Sequence, residues 1–288
     1  MRYLAAADLR RALPMKDAIA AMREAFKDDR ETPQRILLGR SLFMPGRVGE
    51  YTGIKVVSIT PGNPAGIVVI FDRDGRTVGA VDGPTLTAIR TGAAAGLATD
   101  LLAQRDASTL AMLGAGAMAK DQIDAVRAVR PIENVLIWSR DADRATRLAR
   151  EVGGAPVARA AQAVKHADII STATPSQAPL FRDAVVPDTV HINAIGAFTP
   201  DMVEIPPDTV QRAFVVVDDL GAAAEEAGDL IQAGRTPDAT IGDLLSGSAV
   251  EAPITLFKSV GIASQDVSAA TRALAVAERD DIGTYLEP

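Results

Sequence analysis

The sequence predicts an α/β protein in two parts: a doubly wound parallel sheet in the middle of the chain, and a second α+β domain built from its N- and C-terminal segments. Three observations predict it. From Ala107 onward, short apolar segments alternate with helical ones at the spacing of βαβ units. Ahead of them, Val- and Ile-rich segments are punctuated by Pro61-Gly62-Asn63-Pro64 and Asp74-Gly75, the mark of antiparallel strands joined by tight turns. After them a long helical pattern returns over residues 265–278, which we read as packing back on the first part. The expected division is 1–106, completed by 266–288, and 107–265.

In chain order, residues 5–27 read as two helices broken near Pro14, with Ala18, Met22, Ala25 and Phe26 spaced for one buried face. Residues 53–59, 67–72 and 77–82 read as strands, and 84–103, rich in Ala and Leu, as one helix. The alternating part starts with a strand at 109–113, a glycine turn and a helix at 118–129. Strands at 134–139, 169–173, 190–195 and 214–218 and a helix at 142–151 follow.

The chain has 288 residues, 48% hydrophobic and 23% charged, enough for two buried cores. A net charge of −7 and no basic run argue against nucleic acid. There is no cysteine, which excludes disulfides, thiolate catalysis and Cys-ligated zinc. With His166 and His191 as the whole histidine complement, no metal site is expected. The first eleven residues lack the apolar core of a signal peptide, and no apolar run is long enough for a bilayer. The expected setting is cytoplasmic, with no membrane partner.

The strongest motif is Leu113-Gly114-Ala115-Gly116-Ala117-Met118-Ala119, a G-x-G-x-x-A turn directly after a strand and directly before a helix. Gly114 permits the tight turn, Gly116 lets a pyrophosphate approach the backbone, and Ala119 lets helix and strand pack closely. Free N–H groups at the helix start, beginning at Ala117 and Met118, favour phosphate. The motif in this setting is that of a Rossmann dinucleotide-binding domain. The next strand ends in Ser139-Arg140, where NAD-preferring sites carry an acid for the ribose 2′-hydroxyl. A hydroxyl and a guanidinium suit a 2′-phosphate, so NADP(H) is the preferred cofactor and NAD(H) the alternative. The competing readings are a surface arginine at 140 and a ribose contact from Asp141.

Ahead of this domain, strand alternation puts Lys55 on one face with Val57 and Ile59. A lysine on an apolar face either binds an anion, moves a proton or snorkels to water. Arg90 sits in a helix of small apolar residues, and it either holds a carboxylate or pairs with Asp82 or another acid. Arg35 and Arg40 are further basic residues of this part.

Together these segments resemble the ornithine cyclodeaminase/μ-crystallin family. The matching stretches are Gly53-Ile54-Lys55-Val56-Val57, Pro61-Gly62-Asn63-Pro64, Val81-Asp82-Gly83, Leu86 to Ala93, the glycine turn, Thr172-Ala173-Thr174-Pro175-Ser176, Asn193-Ala194-Ile195-Gly196-Ala197, and Thr255 to Gly261. The resemblance implies a Rossmann domain with a split domain that binds substrate and forms a homodimer. It assigns Arg35, Lys55 and Arg90 to the substrate carboxylate, and puts Thr174, Pro175, Asn193 and Gly261 near the nicotinamide. Cyclodeaminases carry an acid two residues after the glycine matching Gly196; here that place holds Phe198, and a second family acid falls on Leu42. A phenylalanine cannot move a proton. The expected activity is therefore NAD(P)H-dependent reduction of a 2-imino acid, such as pyrroline-2-carboxylate or piperideine-2-carboxylate, to an L-amino or cyclic imino acid. The rivals are an ornithine or lysine cyclodeaminase, an alanine dehydrogenase-like enzyme, and a non-catalytic NADPH-binding protein.

Overall fold

The computed structural model describes residues 1–27, 29–60 and 65–286. The expected turn at Pro61-Gly62-Asn63-Pro64 lies outside the described residues. The chain forms two compact units, Met1–Ala94 with Gly261–Pro288, and Ala95–Val260.

The first unit opens with β1 (Arg2–Leu4), α1 (Ala6–Ala12) and α2 (Met15–Ala25). The strands β2 (Arg30–Glu31), β3 (Ile36–Leu38), β4 (Ser41–Val48), β5 (Tyr51–Ser58), β6 (Gly66–Phe71) and β7 (Thr77–Asp82) follow, and then α3 (Gly83–Leu102) begins. Near the C-terminus come α11 (Ala263–Arg279) and β16 (Thr284–Tyr285). The sheet runs β16-β1-β7-β6-β5-β4-β2, with β3 also on β4. It is antiparallel except for β1 beside β7. The first eight residues of α11, Ala263 to Ala270, are all buried. Close approach to the sheet requires glycine: a Cβ at Gly53 would fall 3.1 Å from Val267 and one at Gly79 2.6 Å from Leu274.

β4 was not expected from the sequence, because Pro45 and Gly46 interrupt it. Residues 44–46 fall between the stretches paired with β3 (41–43) and β2 (47–48), so on that edge proline has no described ladder to break.

The second unit contains β8 (Thr109–Leu113), α4 (Ala119–Val129), β9 (Asn134–Trp138), α5 (Ala142–Val152), β10 (Ala155–Pro156), α6 (Ala160–Val164), β11 (Ile169–Thr172) and β12 (Val190–Ala194). It continues with α7 (Pro207–Arg212), β13 (Phe214–Val217), α8 (Leu220–Glu226), α9 (Gly228–Ala233), β14 (Ala239–Thr240), α10 (Ile241–Leu245) and β15 (Ile254–Lys258). The order is β10-β9-β8-β11-β12-β15-β13-β14, parallel throughout. Both faces are covered: Ala111 and Leu113 enter one core cluster, Leu110 and Met112 the other. This is a Rossmann-type doubly wound sheet. The chain runs outward from β8 to β9 and β10, then returns to β11 on the other flank of β8. That reversal is the switch point where such sheets open a crevice at the carboxyl ends of their strands.

Besides β4, other features depart from the sequence reading. β15, unforeseen as a strand, inserts between β12 and β13. The compact units divide inside α3 and after Val260 rather than at 106/107 and 265/266. Because α3 is continuous across the first division, no change of composition marks it.

Candidate active site

The crevice expected from the strand order is present in the second unit. A cleft of about 460 Å³ lies at the ends of β8, β9 and β11, lined by Gly114, Ala115, Gly116, Trp138, Ser139, Arg140, Asp141, Arg144, Ala173, Thr174, Pro175, Ser176 and Leu180. Gly114 has φ +122°, and a Cβ there would meet the Ala173 carbonyl oxygen at 2.6 Å. Its N–H donates to the Trp138 carbonyl at 2.8 Å, which ties the turn to β9. Gly116 is exposed, and a Cβ there would have nothing within 4 Å. Ala117 and Met118 lead into α4, and the Met118 side chain makes no capping bond there. An open face over Gly116 beside a helix start fits a pyrophosphate.

At the rim, Arg140 is exposed and Ser139 half-buried. Asp141 caps α5: its carboxylate accepts the Arg144 N–H at 3.1 Å and pairs with the Arg144 Nε at 3.2 Å. Arg144 therefore joins Arg140 at the cleft, a residue the sequence reading passed over. Its signal was the i,i+3 spacing from Asp141. Thr174 and Pro175 line the cleft as expected. Asn193 is fully buried, and its amide nitrogen donates to Thr99 Oγ1 at 2.9 Å and Ser171 Oγ at 3.4 Å. Its Oδ1 accepts from His191 Nε2 at 3.1 Å, and His191 Nδ1 faces Thr255 Oγ1 at 2.9 Å. Burial holds that imidazole down to about 3. The Asn193 side chain is thus spent inside the fold.

The first unit holds a buried cationic cluster. β5 turns Gly53 and Lys55 to the face covered by α11. There the Lys55 ammonium, 3% exposed, meets Asp266 at 2.8 Å. Arg90 Nε reaches the other Asp266 oxygen at 3.1 Å, and Nη1 donates to Gln265 Oε1 at 2.7 Å. Arg90 thus pairs with Asp266 and not with Asp82, whose carboxylate accepts the Thr85 N–H at 2.9 Å at the start of α3. Arg35 Nη2 donates to the Gly261 carbonyl at 2.5 Å. Gly261 itself (φ +78°) packs on Arg90, where a Cβ would fall 2.7 Å from Nη1. So Lys55, Arg90, Arg35 and Gly261 come together, and Gly261 belongs to this cluster by its contacts.

Burial draws the Lys55 ammonium down to about 8; Asp266 opposes that shift, while Arg90 and Arg35 reinforce it. For Asp266, burial alone would raise the carboxyl, but Lys55 and then Arg90 hold it below the ordinary carboxylate range. Two buried cations share this carboxylate, which leaves the cluster with surplus positive charge. Asp266 and Gln265 were not singled out in the sequence. Their signal was a polar trio, Ser264-Gln265-Asp266, in the first turn of a helix otherwise rich in alanine. Phe198 is 49% exposed in the segment after β12, and Leu42 is half-buried on β4, so neither place offers an acid.

Comparison with known proteins agrees with this architecture. The model of the ornithine cyclodeaminase/mu-crystallin family matches residues 4–279. A Delta(1)-pyrroline-2-carboxylate reductase of Bacillus cereus is 35% identical, with all of both chains covered. Ketimine reductase mu-crystallin of Mus musculus is 33% identical over 73% of this chain and 68% of its own. Among solved structures, Thermococcus litoralis Delta(1)-pyrroline-2-carboxylate reductase in complex with NADH and L-proline superposes with a TM-score of 0.92 at 28% identity, covering 99% of this chain and all of that one.

Proposed function

This chain belongs to the ornithine cyclodeaminase/mu-crystallin family, and we propose that it is a nicotinamide-dependent reductase of 2-imino acids. The observation that carries the reading is the surplus charge of the buried cluster: Lys55 and Arg90 share one carboxylate, and a substrate carboxylate would balance the remaining positive charge. The similarity to two imine reductases supports the same class.

Lys55 and Arg90 would hold the substrate carboxylate, with Arg35 beside them. Asp266 fixes both cations in position, so they need not reorganise when substrate arrives. Fixing the carboxylate orients the C=N carbon, the main service such a reaction needs. When bound, the reduced nicotinamide supplies the hydride. With a pKa drawn near neutrality, Lys55 can also hold or give up the proton that the amine nitrogen gains. The dinucleotide would lie along Gly114, Gly116, Ala117 and Met118, with Thr174 and Pro175 as its further wall.

The finer cofactor preference is for NADPH. Asp141 is engaged with Arg144, which weakens its alternative role as a ribose ligand. Ser139 and Arg140, with Arg144 adjacent, suit a 2′-phosphate. The protein would act as a homodimer. β3 leaves Ile36, Leu37 and Leu38 exposed at 58, 61 and 69%, an apolar run that a second copy would cover. Light scattering at the monomer mass would count against that assembly.

Cyclodeamination is the second reading, and Phe198 disfavours it. The test is twofold: stoichiometric NADPH oxidation with pyrroline-2-carboxylate, and ornithine with catalytic NAD. Robust proline and ammonia from ornithine, without net change in reduced cofactor, would overturn the reductase assignment.

A further inference from the structure

A second buried ionic cluster stands at the carboxyl edge of the parallel sheet. Glu204, Asp229 and Lys258 are 0, 1 and 0% exposed. Lys258 ends β15, and its ammonium pairs with Asp229 Oδ2 at 2.9 Å. Asp229 Oδ1 accepts the backbone N–H of Glu204 at 2.7 Å and of Ile205 at 2.9 Å, which pins the segment carrying Glu204. The Glu204 carboxylate then accepts four bonds. Oε1 takes the Thr174 N–H at 2.7 Å and the Thr174 hydroxyl at 2.8 Å. Oε2 takes the Thr172 hydroxyl at 2.8 Å and the Gly196 N–H at 2.7 Å.

Thr172 closes β11 and Gly196 follows β12, so one carboxylate ties together the segments leaving two adjacent strands. Past the strand ends the ladder thins to single backbone bonds, from the Ala173 N–H to the Leu113 carbonyl at 2.9 Å and from the Ile195 N–H to the Thr172 carbonyl at 3.1 Å. A buried carboxylate can accept from two backbone N–H groups and two hydroxyls at once, which no apolar side chain can do. The segments are in tight contact: a Cβ at Gly196 would fall 2.2 Å from the Thr174 carbonyl oxygen. The tied residues are not remote from the cleft. Thr174, with Ala173, Pro175 and Ser176, forms the cleft wall on the β11 side, while Ser139 and Arg140 form its β9 side. A dinucleotide lies across a switch point with its two halves on opposite sides.

We propose that Glu204, held by the Lys258–Asp229 pair, is a positioning residue for the nicotinamide half of the cofactor. It sets the wall from Ala173 to Ser176 on which that half rests. Lys258 and Asp229 act through Glu204 and touch no ligand. The proposal rests on the reading of this cleft as the dinucleotide site.

Two variants and two ligands test it. Glu204→Gln keeps the volume but offers a donor to the N–H of either Thr174 or Gly196. Thr172→Val removes one hydroxyl and leaves the other three bonds. The ligands are NADPH and 2′-phospho-ADP-ribose, the same molecule without its nicotinamide. Binding is read from Trp138, the single tryptophan of the chain, which lines the cleft. Glu204→Gln should weaken NADPH by about tenfold or more, and Thr172→Val by less, with 2′-phospho-ADP-ribose held within about twofold in both. At saturating NADPH, the KM for the imino acid should stay unchanged. Equal losses for both ligands, or no loss for either, would mean that Glu204 only supports the fold, and would overturn the proposal. If Glu204→Gln does not fold, the same comparison on Thr172→Val decides. A parent protein that binds neither ligand would overturn the cofactor reading itself, and the proposal with it.

Discussion

Replacing Asp266 by Asn removes a charge and changes little else in volume. Its carboxylate meets Lys55 at 2.8 Å and Arg90 at 3.1 Å, all inside the first unit. At pH 7 the Lys55 ammonium is only one unit below its pKa of about 8. Neutralising it in place therefore costs about 1.4 kcal/mol. The lost charge-assisted bond to Arg90 adds about 1.5–3 kcal/mol. The variant should lose about 3–4 kcal/mol of stability, within the range for removing one partner of a buried pair. Since Asp266 raises the Lys55 pKa, its removal must lower it. In the parent, kcat/KM for the imino acid should fall as pH rises through about 8, because the carboxylate-binding ammonium is lost. In Asp266→Asn that limb should move below pH 7. Urea denaturation and pH–rate profiles measure both effects. A limb that stays near 8 would refute the control of Lys55 by Asp266, and an unchanged midpoint in urea would refute the buried pair.

Lys55 also predicts a pH-dependent stability. Its folded pKa of about 8 lies below the 10.5 of an ordinary lysine, so its penalty is fully present below pH 8 and is relieved as pH rises toward 10.5. The parent should gain about 3 kcal/mol over that window relative to Lys55→Met; a flat difference would show that the ammonium is not buried. Gly116→Val should fold normally, because φ is not positive there and nothing stands within 4 Å, yet lose NADPH binding. Retained binding would place the pyrophosphate elsewhere. Arg140→Ala should weaken NADPH far more than NADH, since only NADPH carries the 2′-phosphate; equal losses would make Arg140 structural.

Much of the fold was legible because its signals are local. The strand at Thr109–Leu113, the glycine turn and α4 are fixed by neighbours in sequence: an apolar run, two glycines and a helical period. The two N-terminal helices and the strands β5 to β7 were read for the same reason. β4 was lost because proline penalises a strand on average, and only the gap between its two partners shows why Pro45 is tolerated.

The site divides along the same line. Alternation along β5 turned Lys55 to a buried face, and the small residues around Arg90 marked it as enclosed. Neither signal could name the partner, because Asp266 lies 176 positions beyond Arg90 and meets it only when α11 packs on the sheet. Likewise Asn193 was placed by resemblance, but its amide is consumed by His191, Thr99 and Ser171. Glu204 gave no sequence signal at all, since its four donors come from the ends of two different strands and the segments that follow them. The sequence by itself determined the elements, the phosphate turn and the basic residues, all set by short-range preference. Only the tertiary structure decided which charges are paired, because the free energy of a buried charge depends on what packs around it.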